Sequence, residues 1–150
     1  MNKRTWYVFL AICVLILISA MIYSAFQNRT SFKEMVLDQL NEPGTISHMS
    51  VGKNRFRPNE QVIEITDPAE IERIMNTFSE VKLRKTSRVD HGDDEYEVWF
   101  QGRNGPTFAV YFFSSDHVRI YNGSSNHKRY NREYKIVNDF DFGVIENLFK

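Results

Sequence analysis

Few side chains in this chain of 150 residues have types and spacing that could support catalysis. Ser114 and Ser115 precede Asp116 and His117, so the residue types of a hydrolytic triad occur within four positions. A nucleophile and a base this close in sequence are typical of a turn, where serine and aspartate bond to nearby backbone groups. We therefore interpret this segment as a turn.

Other catalytic and metal-binding patterns are not found in the sequence. His48, His91 and His127 are scattered, and there is no HExxH, no G-x-S-x-G and no glycine-rich phosphate loop. The acidic run Asp90–Glu95 could offer oxygen ligands to calcium, but its spacing differs from that of an EF-hand loop. We predict a solvated loop, no metal, no cofactor and no enzymatic activity. A hydrolase or metal-dependent enzyme stays open as an alternative.

Two aromatic segments, 96–101 and 107–113, flank a strong turn signal at 102–106 and predict a β-hairpin. If Gln101 pairs with Thr107, period-two alternation places one set of side chains on the core side. That set is Tyr96, Val98, Phe100, Phe108, Val110 and Phe112. Val118 and Ile120 of the next strand should join it if the next loop holds an odd number of residues.

The other side of this hairpin carries the residues predicted to contact a partner: Trp99, Tyr111, Arg119 and Tyr121. Trp99 is predicted to lie across from Ala109 and next to Tyr121, with Glu97 and Arg119 forming an ion pair nearby. Such a surface could stack on sugars or contact a peptide. In the alternative interpretation, a helix or the tethered segment covers this side and makes it a second small core.

The elements that position these residues are predicted from periodicity and capping signals. Helices are expected to begin at Ser31, at Thr66 or Asp67, and at Asn138-Asp139, and Pro43-Gly44 is expected to end the first of them. Further strands are predicted at 45–51, 61–66, 81–84, 118–121 and 127–136. The helices should bury Phe32, Met35, Val36, Leu40, Ile71, Ile74, Met75, Phe78, Phe142, Ile145, Leu148 and Phe149.

Basic residues are concentrated in and after the strand predicted at 81–84. Lys82 and Arg84 share its outer face, and Lys85 and Arg88 follow closely. This pattern favours a solubilised sheet face or a protected edge strand. A patch for an anionic polymer or for lipid headgroups is the alternative.

The segment Trp6–Phe26 contains no charged residue and predicts a membrane anchor. As a helix it would span about 31 Å, close to the thickness of the hydrocarbon core of a bilayer. Lys3 and Arg4 precede it, which favours a cytoplasmic N-terminus and a C-terminal part outside. A cleaved signal ending at Ala25 and a lipidated Cys13 are less favourable alternatives, because bulky residues occupy the positions that need small ones.

Composition limits the function classes. The chain has 19 basic and 19 acidic side chains. Without Lys3 and Arg4, seventeen basic residues face nineteen acidic ones beyond the anchor, so nucleic-acid binding is not predicted. Cys13 is the only cysteine, so the part after the anchor has neither a disulfide nor a cysteine ligand.

The overall layout resembles the small membrane-anchored extracytoplasmic proteins of Bacillus-type Gram-positive bacteria. The features behind this resemblance are the basic start with one apolar segment, the stretch 65–71 (ITDPAEI), and the aromatic strand run that ends in 145–150 (IENLFK). The resemblance implies an extracytoplasmic domain on a membrane anchor and no catalytic residue.

We expect an α+β protein with an antiparallel sheet of about five to six strands and two or three helices. Its predicted parts are a cytoplasmic N-terminus (1–5), a transmembrane anchor (6–26), a juxtamembrane helix or linker (27–44) and an extracytoplasmic domain (45–150). The expected function is that of a single-pass binding module in the cell membrane, whose partner is an envelope protein or a cell-wall polymer. An immunity or inhibitor protein against a secreted toxin or protease is an alternative.

Overall fold

The structure, a computed structural model, describes residues 3–40, 46–102 and 107–150. The helix stop predicted at Pro43-Gly44 and most of the turn predicted at 102–106 lie outside these residues. The described part is an α+β fold with one apolar N-terminal helix, as the sequence predicts.

An antiparallel sheet of eight strands forms the centre of the fold. The strands are β1 (Arg29–Ser31), β2 (Ile46–Lys53), β3 (Gln61–Ile65), β4 (Lys82–Lys85), β5 (Tyr96–Gly102), β6 (Thr107–Phe112), β7 (His117–Asn122) and β8 (Arg132–Ile136). Their order across the sheet is β1-β4-β8-β7-β6-β5-β2-β3. The predicted count of about five to six strands was therefore too low. The polar three-residue strand β1 forms because it pairs with β4, which is distant in sequence. No local sequence pattern predicts this strand.

The register predicted for the central hairpin is confirmed. Gln101 pairs with Thr107 and Val98 with Val110, and the same alternation continues into β7, where Ile120 lies opposite Val110. The six predicted core residues of β5 and β6 are all buried, as are Val118 and Ile120.

The helices beyond the N-terminal one pack against one face of the sheet. They are α2 (Phe32–Met35), α3 (Pro68–Ser79) and α4 (Gly143–Glu146), with 3-10 turns at Leu37–Gln39 and Asn147–Phe149. Phe32 of α2 contacts Phe78 of α3 and Phe100 of β5, with ring centroids 5.2 and 6.2 Å apart. Phe142, which precedes α4, packs against Tyr96 and Phe112. The hydrophobic core therefore lies between this face and the helices.

Two of the three predicted helix starts are confirmed. The Asp67 side chain accepts a hydrogen bond from the Ala69 backbone N at 3.1 Å, and Pro68 begins α3. Ser31 Oγ accepts one from the Glu34 backbone N at 3.2 Å. The apolar residues predicted to face the core are buried as expected, although α2 itself is only one turn long. They are Ile71, Ile74, Met75 and Phe78 of α3, together with Phe32, Met35, Val36 and Leu40.

The start predicted at Asn138-Asp139 was wrong, because Asn138 bonds to another segment instead. Its Oδ1 accepts from the backbone N of Lys82 at 2.7 Å, and its Nδ2 donates to the backbone O of Glu80 at 3.0 Å. The last helix begins later, at Gly143, whose N donates to Asp141 Oδ1 at 3.0 Å.

The N-terminal helix α1 (Lys3–Gln27) contains the predicted anchor. Its segment Trp6–Tyr23 has a mean hydropathy of 2.5 and is not buried against the rest of the chain. By length and composition, α1 can cross a membrane. Strand β1 begins only two residues after α1 ends, so the sheet follows the apolar helix almost directly.

Candidate binding face

The face of the sheet opposite the helices, here called the open face, carries all four residues predicted to contact a partner. Trp99 pairs with Ala109, which pairs with Tyr121, and in the next row Tyr111 pairs with Arg119. The three aromatic residues and Arg119 are all half-buried. The structure thus brings the predicted set together on one surface, and no helix of the described chain packs over it.

Trp99, Tyr111 and Tyr121 form an aromatic cluster on this face. The Trp99 ring lies 6.0 Å from that of Tyr111, with an interplanar angle of 84°, and 6.0 Å from that of Tyr121, at 54°. Edge-to-face pairs of this kind add about 0.5–1.5 kcal/mol beyond burial. Ala109 is completely buried, because the larger side chains around it cover its methyl group.

The predicted ion pair between Glu97 and Arg119 was wrong. Tyr111 lies between these residues in the register, so they are two strands, roughly 10 Å, apart. Arg119 instead donates to Glu133 Oε1 of β8 at 2.6 Å. Glu97 forms an ion pair with Arg55.

Arg55 belongs to the open face although nothing in the sequence links it to Glu97. Its neighbours Asn54 and Phe56 have φ values of 54° and 65°, so the chain turns sharply after β2. Buried Asn54 holds this turn, because its Nδ2 donates to Asp94 Oδ1 at 2.7 Å and its Oδ1 accepts from the Glu95 backbone N at 3.0 Å. The Arg55 guanidinium consequently lies 5.9 Å from the Trp99 ring, within the range of a cation–π contact.

Two ion pairs, Glu97 with Arg55 and Glu133 with Arg119, lie on this face. Glu97 is only 7% exposed, and its hydrogen bond with Arg55 raises the pKa of the guanidinium above its ordinary value. Arg119 lowers the pKa of Glu133 through its hydrogen bond. Burial, and then the charge of Glu97, raise the pKa of Tyr111. The charged groups beside the aromatic cluster are therefore paired within the chain.

A shallow cleft of about 250 Å³ adjoins Trp99 at the β2 side of the open face. Its lining includes Ser47, His48, Ser50, Trp99, Gln101 and Thr107. Glu64 of the edge strand lies close by, since it accepts from Ser50 Oγ at 3.0 Å and contacts His48 Nε2 at 2.8 Å. The buried Nε1 atom of Trp99 has no hydrogen-bond partner in the described part of the chain. Hydroxyl, imidazole and amide groups thus surround one edge of the aromatic cluster.

The segment Ser114–His117 does not have triad geometry. Ser114 Oγ and Asp116 Oδ1 both approach the same ring nitrogen of His117, Nδ1, at 3.3 and 2.7 Å. A triad needs the nucleophile on one ring nitrogen and the carboxylate on the other. Asp116 is also engaged by Lys135 at 3.1 Å. These contacts tie together the β6–β7 turn.

The acidic run Asp90–Glu95 pairs with basic residues at the end of β2 and in the turn that follows it. Lys53 contacts Asp94 at 2.7 Å, and Arg57 contacts Glu95 at 3.3 Å. Hydrogen bonds from Lys53 and Asn54 lower the pKa of Asp94. Within residues 3–40, 46–102 and 107–150, no group of three or more histidine, cysteine or acidic side chains is placed to hold a metal.

Comparison with known proteins adds no relative. No protein-family model, no curated protein and no solved structure matches this chain. The function is therefore argued from the geometry of the open face and from the apolar helix that precedes the sheet.

Proposed function

We propose that this chain is a membrane-anchored binding module whose open face contacts an envelope protein. The observation that carries the proposal is the aromatic cluster of Trp99, Tyr111 and Tyr121 on the sheet face opposite the helices. The core already buries the other face, so these rings do not serve to hold the helices in place. Large aromatic side chains left at a surface are typical of contact sites.

The composition of the open face suits a protein partner. Tryptophan, tyrosine and arginine are the residue types that dominate binding energy at protein interfaces. Here they occur together, and Arg55 and Arg119 already have carboxylate partners. A partner therefore meets rigid, largely neutralised groups, which lowers the entropic cost of binding.

The location is part of the proposal. Helix α1 crosses the cell membrane once, with the N-terminus inside and the sheet domain outside, in accordance with Lys3 and Arg4 at its start. The domain then meets its partner at the outer surface of the membrane. A reporter fused after Lys150 should be accessible only from outside; an intracellular reporter would overturn this topology.

A cell-wall polymer is the second candidate, and the cleft beside Trp99 is the observation that favours it. Sugars combine apolar ring faces with hydroxyl groups, and an indole next to serine, histidine and glutamine side chains can satisfy both. In this case the cleft, rather than the whole aromatic cluster, should carry the binding.

The two candidates can be separated by photo-crosslinking on whole cells. A photoreactive residue at Tyr121 should capture a discrete protein band if the partner is a protein, and polymeric material if it is the cell wall. Trp99→Ala together with Arg55→Ala should reduce capture at least tenfold if the aromatic cluster is the contact site.

Val137 supplies the control, because it is an exposed apolar residue at the end of β8, three strands away from Trp99. Val137→Ala should leave capture unchanged. Equal capture by the wild type and by the Trp99→Ala, Arg55→Ala variant, with both folded, would exclude the open face as the contact site.

A further inference from the structure

We propose that a basic cluster at the end of the sheet nearest α1 binds the anionic lipid headgroups of the membrane that α1 enters. The cluster, called here the anchor-end cluster, consists of Arg29, Arg84, Lys85, Arg88, Lys128 and Arg132. It is separate from the open-face residues proposed to bind a partner. The proposal depends on α1 lying in a bilayer. It does not depend on which partner the open face binds or on which side of the membrane the sheet lies.

Chain connectivity places the start of β1 beside the end of α1. Helix α1 ends at Gln27, and Arg29 follows two residues later. Two extended residues span at most about 7 Å, which is less than the Debye length of about 8 Å at physiological ionic strength. Arg29 therefore lies close enough to the headgroup layer for its charge to interact with lipid phosphates.

Strand pairing then brings β4 to the same place. Arg29 pairs with Arg84, and the Lys85 backbone N donates to the carbonyl O of Asn28 at 2.9 Å. Arg88 follows in a turn, where its N and O both bond to Thr86 Oγ1 at 3.1 Å. Three basic residues of one segment are thus held beside the residues that leave α1.

The next strand adds two more basic residues at the same end of the sheet. Thr86 N donates to Glu133 O at 3.1 Å, so the start of β8 lies beside the end of β4. Arg132 begins β8, and its Nε donates to the carbonyl O of Lys128 in the preceding loop. Buried Tyr130 fixes this loop by donating to the Met35 carbonyl O at 2.8 Å.

The anchor-end cluster lacks internal counterions. Within the described residues, none of its six side chains is within ion-pair distance of a carboxylate, whereas Lys53, Arg55, Arg57, Arg73, Arg119 and Lys135 all are. Glu133, which follows Arg132 in the sequence, already forms an ion pair with Arg119. The cluster thus offers uncompensated positive charge.

Protection of a sheet edge does not account for the basic residues of β4. The structure places β4 between β1 and β8, so β4 is an interior strand and has no open edge to protect. Each lysine or arginine near an anionic membrane surface strengthens association about fivefold. Six of them beside a membrane helix should hold the end of the sheet against the headgroups.

The test uses the full-length chain in liposomes. Cys13→Ser with Ser87→Cys allows one fluorophore to be attached between Thr86 and Arg88, and lipids with a headgroup-linked quencher report its distance from the surface. Quenching should be at least twofold stronger in equimolar phosphatidylcholine and phosphatidylglycerol than in phosphatidylcholine alone. Molar salt should remove the difference.

Variants that remove positive charge show which residues cause the dependence of quenching on anionic lipid. Arg84→Gln, Lys85→Gln and Arg88→Gln together should abolish the dependence on anionic lipid. Lys33→Gln, Arg73→Gln and Lys150→Gln remove the same charge from exposed side chains outside the cluster, and this variant should keep the dependence on anionic lipid. Trp99→Ala should also retain it, so that failure of the partner proposal is distinguishable from failure of this one.

Two outcomes would overturn the proposal. They are equal quenching in the two lipid mixtures, and equal loss in the two triple variants with unchanged melting temperatures.

Discussion

Gly52 of β2 lies directly opposite Glu97 of β5, and the absence of a side chain at Gly52 leaves room for the Glu97 carboxylate. A Cβ atom at Gly52 would lie 3.1 Å from Glu97 Cγ and 3.2 Å from its Oε1. The pairing of Glu97 with Arg55, and through it the position of Arg55 near Trp99, depends on this space.

Gly52→Ala should therefore displace the Glu97 side chain and destabilise the fold by about 1–3 kcal/mol, the usual cost of overpacking a tight site. Denaturant unfolding of the detergent-purified chain measures the change. Gly123→Ala is the control, since its Cβ would meet nothing closer than 3.4 Å, and its cost should be smaller. Equal effects at the two positions would contradict this account of Gly52.

Replacing Arg55 alone should lower the free energy of unfolding more than replacing both Arg55 and Glu97. Arg55→Ala leaves the buried Glu97 carboxylate without its counterion, which should cost about 1–3 kcal/mol. Glu97→Gln in addition to Arg55→Ala removes the buried charge and should recover part of that loss. A double-mutant cycle measured by denaturant unfolding gives the coupling energy, and additive effects would show that the pair is not coupled.

The pair of Arg119 and Glu133 predicts a contribution to acid sensitivity. Because Arg119 lowers the pKa of Glu133 below its ordinary value of 4.5, the folded state takes up a proton at this site less readily than the unfolded state. The resulting stabilisation is present above the unfolded pKa and is lost as the pH falls through the folded pKa. Glu133→Gln should flatten the dependence of unfolding free energy on pH between about 5 and 3.

Glu146 provides the control for this titration. It is an exposed carboxylate for which the described residues show no ion pair. Glu146→Gln should follow the wild-type pH dependence. If Glu133→Gln did the same, the contact with Arg119 would not contribute to stability.

Asn138 and Asp139 should respond differently to substitution. Asn138→Ala leaves the Lys82 backbone N and the Glu80 backbone O without their side-chain partner, and the expected cost is about 1–2 kcal/mol. Asp139 is exposed and does not cap a helix, so Asp139→Ala should change stability by less than about 0.5 kcal/mol. Thermal unfolding of both variants checks the difference, and a larger effect at Asp139 would contradict the observed role of Asn138.

Local signals predicted a large part of the fold and the aromatic residues of the open face. Alternation along β5 and β6 places the six buried residues on one face of the hairpin, so the sequence predicted that Trp99, Tyr111 and Tyr121 lie on the other. The ionic partners did not follow. Glu97 and Arg119 are separated by one strand, and their true partners, Arg55 and Glu133, come from a sharp turn and from a neighbouring strand.

The sequence by itself determined the apolar N-terminal helix, the start of α3 near Pro68, and the alternation that separates core from open face, because these depend on spacing within short segments. Only the tertiary structure decided that Arg29–Ser31 joins the sheet, that β4 is an interior strand, and that unpaired basic residues from 29, 84–88 and 128–132 lie together beside the end of α1. The physical reason is that a strand of three polar residues gains its hydrogen bonds only from a partner about fifty positions away.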